Sequence, residues 1–456
     1  MEGDLYLGPY QNDATVTPLT LAVLSTAGLL ITAAPRRYAL AAFLAGIFYL
    51  TQTQGIWLGG LNLYGLRVLE VFTFIRVLAR QEFSFRALIA IDRLLIALML
   101  YTAAVYCLRS SEGQLFQIGY AIDAYLCYFS FRGLLQTEDD YIWILRAMAL
   151  ILLPYAVVVL YESYTSNNLF STLGGRGPSA DRYRGGRLRA CGTFRHPSIL
   201  GSIGAALFAM YLAPAITRTT RYWGIAGVLA GGALVWASNS GGPAGSVIIA
   251  VACWLGWPLR HRMRKVRWVL CLLLVACAVL MKAPVWYLLT KVSSVTGGGG
   301  YHRSKLMDQA FKHLDEWWFV GMPIEQTRPW FPYFVSSTGG ADITNQFLKF
   351  GLTAGIGAMF LLFILVWQVY KRIGDSIALT AENDLQFSAQ KRILWSVGVA
   401  VTVHQFSWLG ISYFDQSAAF WYATLAIAVA VTRPATDDTS TSLEYKWPQD
   451  CLEGRA

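Results

Sequence analysis

One stretch of the chain is crowded with groups suited to holding an anion. In GGRGPSADRYRGGRLRACGTFRHPS, residues 174–198, six arginines (Arg176, Arg182, Arg184, Arg187, Arg189 and Arg195) face a single acid, Asp181. Guanidinium is planar, permanently charged and rich in donors, which suits phosphate oxygens, and glycines let backbone amides approach an anion closely. The chemistry this predicts is binding of a phosphate or pyrophosphate. The plainer reading is a solvated loop resting on anionic lipid headgroups.

A second stretch, GGGGYHRSKLMDQAFKHLDEWWFVGMPIEQTRPWFP, residues 297–332, mixes cations with carboxylates. Leu306, Ala310, Phe311 and Leu314 recur at helical spacing, so an amphipathic helix over about 303–318 is expected at a membrane surface, finished by Trp317, Trp318 and Phe319. Such a helix would lie as a lid over a cavity. His302, Arg303, Lys305 and Lys312 supply positive charge there, and Asp308, Asp315 and Glu316 either pair with those cations or serve as a base.

The elements that must position these loops are apolar. Of 456 residues 55% are hydrophobic and 14% charged, with a mean hydropathy of +0.44; soluble domains carry about a quarter charged residues, so lipid is the expected solvent. The net charge of +10 (37 basic, 27 acidic) would suggest nucleic acid in a soluble chain. Here the basic residues fall in short runs between apolar stretches, which argues against a nucleic-acid partner and for cytoplasmic membrane loops. About thirteen apolar runs of membrane-spanning length occur, near 17–34, 38–54, 61–80, 88–108, 114–133, 141–161, 197–215, 222–238, 242–258, 267–285, 345–370, 393–412 and 415–432. Every second connection is basic if the N-terminus lies outside, which makes 163–196 and 286–344 long external loops. The expected organisation is a transmembrane domain over 1–433 and a disordered cytoplasmic tail over 434–456. The acidic start MEGDLYLGPYQND has no basic region of the kind that precedes a cleaved signal. Seven cysteines form no metal or disulfide pattern.

Several ionisable residues fall inside or beside the runs, and such groups face a bundle interior or wet cavity by default. Arg67 and Glu70, three apart, are expected to neutralise each other. Lys282 and Lys349, at the outer ends of the spans flanking the second loop, either snorkel or reach a phosphate. The nucleotide loop GxxxxGK[ST] is absent, as are DxD and HExxH, so a reaction without a metal or other cofactor is expected.

CGTFRHPSILGS opening one span, SNSGG beyond it, YHRSKLMDQAFKHLDEWWFVGMP, and DITNQFLKFGLTAG opening the next, together resemble the bacterial O-antigen ligase and Wzy-type polysaccharide polymerase superfamily over about residues 190–370. The resemblance implies an all-α, polytopic glycosyltransferase of the C type in the bacterial inner membrane, its N-terminus periplasmic and its C-terminus cytoplasmic. It implies an undecaprenyl-pyrophosphate-linked oligosaccharide as donor, a glycan acceptor, and a periplasmic active site. A chain-length regulator or other polysaccharide-assembly proteins are implied partners. Arg303 matches the family arginine that begins the lid helix, and Arg195, beside His196, is the best match for a second arginine near the donor. Thr344 precedes Asn345 where ligases of this kind usually carry His, and SNSGG runs on without an Arg, which leans the reading toward a polymerase of exopolysaccharide or O-antigen repeats. The runner-up is a ligase acting on a lipid or protein acceptor, and the reading from another class is a transporter or flippase of the lipid-linked glycan.

The expected catalytic set is Arg303, His302, Arg195, His196, Asn345 and Asp308. Arg176, Arg182, Arg184, Arg187, Arg189, Lys305, Lys282 and Lys349 are expected to bind pyrophosphate or glycan. Arginines would stabilise the pyrophosphate leaving group in a partly dehydrated site while an acceptor hydroxyl attacks the anomeric carbon, with His302, His196, Asp308 or Asn345 positioning it.

Overall fold

A computed structural model describes residues 16–58, 61–291, 299–330, 339–379 and 385–432; the expected tail, 434–456, lies outside them. Each of the thirteen apolar runs holds a helix: α1 (Pro18–Ala33), α2 (Arg36–Tyr49), α3 (Gly65–Ala79), α4 (Ala90–Arg109), α5 (Gln114–Leu134), α6 (Glu138–Thr165), α7 (Pro197–Ile216), α8 (Arg221–Ser238), α9 (Gly241–Leu255), α10 (Met263–Leu280), α12 (Gln346–Leu379), α13 (Leu385–Trp408) and α14 (Gln416–Val431). The fourteenth, α11 (Gly300–Lys312), is the expected lid helix. It starts three residues earlier than its apolar spacing suggested and breaks at His313 before a helical turn, Leu314–Trp317. Two short hairpins complete the fold, β1 (Gly55–Leu58) with β2 (Leu61–Tyr64), and β3 (Tyr183–Arg184) with β4 (Arg187–Leu188). In the first, β1 falls between the runs 38–54 and 61–80 and β2 occupies the start of the run 61–80, expected to be helical.

Among the described residues, α4, α6, α7 and α12 are long and apolar enough to cross a membrane, and the segment Trp257–Leu280 with Val285–Lys291, bent by 101°, passes as one further span. Helices apolar on all sides take the centre: α7 and α14 are buried along nearly their whole length. Small residues let α7 and α8 approach closely, the space for a side chain at Gly204 being filled by the Gly231 carbonyl, and that at Gly227 by the Tyr211 ring. Outer helices keep apolar side chains exposed, such as Leu29 and Leu30 on α1, Leu150 and Val157 on α6, and Phe360 and Trp367 on α12. A soluble chain would hide such continuous surface, and a membrane chain turns it to lipid.

Charged groups inside the bundle find partners across helices. Asp92 accepts from Arg132 Nε at 3.0 Å and from the Tyr128 hydroxyl at 2.6 Å. Arg67 does not pair with Glu70 as expected: its guanidinium grips Asp123, with Nε at 2.7 Å and Nη2 at 2.5 Å. The hairpin just before α3 and the facing helix α5 bring the aspartate there, and Tyr64 adds its hydroxyl to the same carboxylate at 3.2 Å.

The lid is tied into the fold by a break in α12. Ala354 and Gly355 leave helical geometry, Gly355 at φ +78°, and any side chain at Gly355 would strike the Phe319 carbonyl. The freed backbone groups bond to the segment after α11: Ile356 N to Trp318 O at 2.7 Å and Met322 N to Leu352 O at 2.8 Å. Leu306, Ala310, Trp317, Met322, Trp330, Ile343 and Leu348 form a separate small core beneath the lid.

Candidate functional site

Two helix starts and a helix end meet under the lid. SNSGG forms the turn between α8 and α9: Asn239, at φ +44°, ends α8, and Ser240 precedes the first residue of α9. The start of α7 is set by FRHP, with Pro197 at the first helical position and His196 Nδ1 accepting from Ser198 N at 3.1 Å. Ser198, Gly241 and Gly242 from these two starts, Gly410 just after the end of α13, and Arg303 from the lid line one cleft of about 490 Å³, counted to its open mouth. Helix starts carry unbonded N–H groups and partial positive charge, so both lend themselves to an anion.

Two arginines reach this place, Arg189 from the loop before α7 and Arg303 from the lid. The β3–β4 turn, with Gly185 at φ +56° and Gly186 at +75°, reverses the chain so that Arg189 follows the second strand. Arg189 Nη2 donates to Ser198 Oγ at 3.1 Å and Ser240 Oγ at 2.9 Å, and its Nε is buried without a partner. Arg303 Nε donates to Gly410 O at 3.0 Å, and Gly242 leaves open space beside its Nη atoms. Among the described residues no carboxylate forms an ion pair with Arg189 or Arg303. Burial and the neighbouring Arg184 charge push Arg189 down to about 10 and lower Arg303 as well. The cleft is therefore electropositive, and a bound anion would relieve both burial and the repulsion each arginine feels from Arg184.

Other expected site residues have different employment. Arg182 is wholly buried; it meets Glu162 at 2.5 Å and donates to the carbonyls of Arg176, Gly177 and Arg189. Glu162 also accepts from Cys191 N and Gly192 N, so this pair pins the loop to α6, and the N–H groups of Arg182 are spent within the fold. Arg195 pairs with Asp415 at 2.9 Å and donates to Gln52 O. Asp415 holds φ +47°, a strained geometry for a side-chain-bearing residue that the surrounding contacts must enforce. Arg187 stacks on Trp236, 4.5 Å from the ring centre, and donates to its carbonyl. Arg184 donates to Asn239 O at 3.4 Å, beside the cleft, and Arg176 pairs with Asp181 at 3.4 Å on the surface.

Of the catalytic candidates, Asn345 caps α12 by accepting from Leu348 N at 3.0 Å. Asp308 accepts from Trp286 Nε1 and the Tyr287 hydroxyl, each at 3.2 Å, and Lys305 approaches it at 3.9 Å. Burial and the Arg189, Arg176 and Arg303 charges push His196 down to about 3, so its ring is neutral and already engaged as a cap. Lys349 is turned to Tyr413 O at 3.2 Å and lies over the Tyr120 ring, and Lys282 is exposed beyond α10; neither lines the arginine cleft. His302 stands next to Arg303 and close to Asp342; burial lowers its affinity for a proton, a fall that Asp342's charge opposes and Arg303's adds to.

Asp342 and the hydroxyls of Ser198 and Ser240 were not singled out in the sequence. Asp342 reaches solvent at its outer edge, the packed chain around it raises its carboxyl, and His302 and Arg303 oppose that rise. One signal was available: it is the sole acid between Glu325 and Asp375. No protein-family model matches this chain, and no curated protein matches it.

Proposed function

We propose that this chain is a multi-pass membrane glycosyltransferase that takes an undecaprenyl-pyrophosphate-linked glycan as donor and polymerises its repeat units on the outer face of the bacterial inner membrane. All thirteen apolar helices are read as membrane spans, with the N-terminus and the arginine cleft outside and the C-terminus inside. The observation that carries the reading is the convergence of Arg189 and Arg303, both without a carboxylate partner, on the starts of α7 and α9 beneath a lid.

Cleaving the bond between an anomeric carbon and pyrophosphate leaves negative charge on the departing oxygens. Arg303 and Arg189 would take up that charge in a site where the lid restricts water, assisted by the Ser198 and Ser240 hydroxyls. The acceptor hydroxyl attacks the anomeric carbon, and its proton passes to a group at the rim. His302 with Asp342 fits this role better than His196, Asp308 or Asn345, whose polar atoms are bound within the fold. Motif departures at Thr344 and SNSGG favour elongation on the same carrier over transfer to a different one.

The test is incubation of purified protein in nanodiscs with an undecaprenyl-pyrophosphate-linked repeat unit and EDTA, reading product length and carrier by mass spectrometry. Ladders still attached to undecaprenyl pyrophosphate are expected. Transfer to another lipid or protein would establish a ligase instead, and movement of intact donor across the bilayer without new glycosidic bonds would establish a transporter.

A further inference from the structure

Between Asp181 and Asp308 the chain contains no acidic residue. In the middle of that stretch, Arg262 ends the 3-10 turn Trp257–Arg262, and Arg264, Lys265 and Arg267 occupy the first turns of α10. Local physics opposes this placement. Like charges three apart on a helix repel, and cations at a helix start meet the positive end of its dipole.

Four basic residues near other expected cytoplasmic helix ends are neutralised within the fold. Asp140 takes both Arg36 at 2.7 Å and Arg37 at 2.8 Å, Glu82 takes Arg76 at 2.9 Å, and Asp92 takes Arg132 at 3.0 Å. For Arg262, Arg264, Lys265 and Arg267 no carboxylate stands within ion-pair distance among the described residues. The bias of basic residues toward the cytoplasm accounts for the sign of this turn; what sets it apart is four cations within six residues at the foot of a helix with no buried residue.

The shape around the cluster is equally specific. From Met263 to Leu280 the helix α10 has no buried residue, so an apolar shaft rises directly from the cationic foot. The foot is seated on indoles: Arg267 lies over Trp367 of α12 at 5.2 Å, Arg260 lies over Trp257 at 4.4 Å, and Trp257 meets Trp395 of α13 edge-on at 5.8 Å. Tryptophan marks the headgroup level of a bilayer.

We infer that the foot of α10 is a binding site for an anionic phospholipid, its phosphate held by Arg262, Arg264, Lys265 and Arg267 and its acyl chains lying along the exposed flank of α10. Charge complementarity selects the headgroup, and the adjoining apolar shaft selects a lipid over free phosphate. The inference rests on the reading of α10 as a membrane span and is independent of the catalytic assignment.

Native mass spectrometry of protein released from nanodiscs holding phosphatidylglycerol and phosphatidylcholine of matched chains tests it. The intact protein is expected to retain phosphatidylglycerol selectively. Retention should fall about fivefold per cation removed in Arg264→Gln/Arg267→Gln and in the further variant that adds Arg262→Gln and Lys265→Gln. Arg218→Gln/Arg221→Gln, in another basic turn, should leave it unchanged. Equal retention of the two lipids, unchanged retention in the α10 variants, or full displacement by inorganic phosphate would overturn the site. Vesicle flotation of each variant reports insertion separately, so failure of the membrane reading shows as protein left in the aqueous fraction and overturns the proposal by that route.

Discussion

The loop 163–196 and the lid carry two kinds of arginine. Arg182 and Arg195 are buried and matched, the first by Glu162 and three carbonyls, the second by Asp415 and Gln52 O. Arg189 and Arg303 are half-buried and meet only hydroxyls or a single carbonyl. Arg182, Arg189 and Arg195 share one arginine-rich run, and all four lie within a few residues of glycines in the sequence. What separates them is whether the fold supplies a carboxylate. A matched buried guanidinium fixes a loop, and an unmatched one at helix starts creates a field that only a ligand can balance.

The sharpest way to break this comparison is to exchange the consequences. Arg182→Ala strands Glu162 in the interior and should cost about 3–5 kcal/mol of stability, read as a lost or strongly lowered thermal midpoint in detergent. Arg182→Met with Glu162→Met should recover much of it, because no charge is left unpaired. If Arg182→Ala were folded and only inactive, the structural assignment would be wrong.

Arg303→Ala should do the opposite: normal insertion and thermal midpoint, with product formation reduced by about a hundredfold to a thousandfold, as for loss of a group that stabilises transition-state charge. Arg303→Lys should rescue poorly, since a point charge does not reproduce two-pronged phosphate binding. Normal ladders from well-inserted Arg303→Ala would sink the site. For Arg189→Ala a smaller loss is expected, on the order of tenfold to a hundredfold, because the serines and helix starts remain; measured with donor titration, it should appear in both KM and kcat.

The smallest effect concerns His196. An unfolded ring gains a proton below about 6.5, whereas the folded ring resists it until about 3. Stability from this residue is therefore complete above pH 6.5 and is lost progressively as pH falls from 6.5 toward 3. His196→Asn keeps a capping acceptor that does not titrate, so its thermal midpoint should fall less over that interval than that of the intact protein. Parallel pH profiles would remove the assignment of His196 as a neutral cap.

Sequence periodicity reached a long way here because apolar length is a local property. Each of the thirteen apolar runs contains a helix, and the lid spacing at Leu306 and Ala310 corresponds to buried positions of α11. The β1–β2 hairpin escaped because four-residue strands inside apolar sequence have no distinctive length or period. Arg67 with Glu70 shows the limit of spacing arguments: sharing a helix face permits a pair, but Asp123, 56 residues away, offers a two-pronged contact that wins.

Composition and pattern thus determined by themselves that the chain is helical and apolar with two long, cation-rich loops, since burying or exposing whole segments depends on average chemistry along the chain. Only the tertiary structure decided which cations are matched, because a counter-charge arrives from any element the fold brings near. It gave Arg182 to Glu162 and Arg195 to Asp415, and left Arg189 and Arg303, without a carboxylate partner among the described residues, at the starts of α7 and α9.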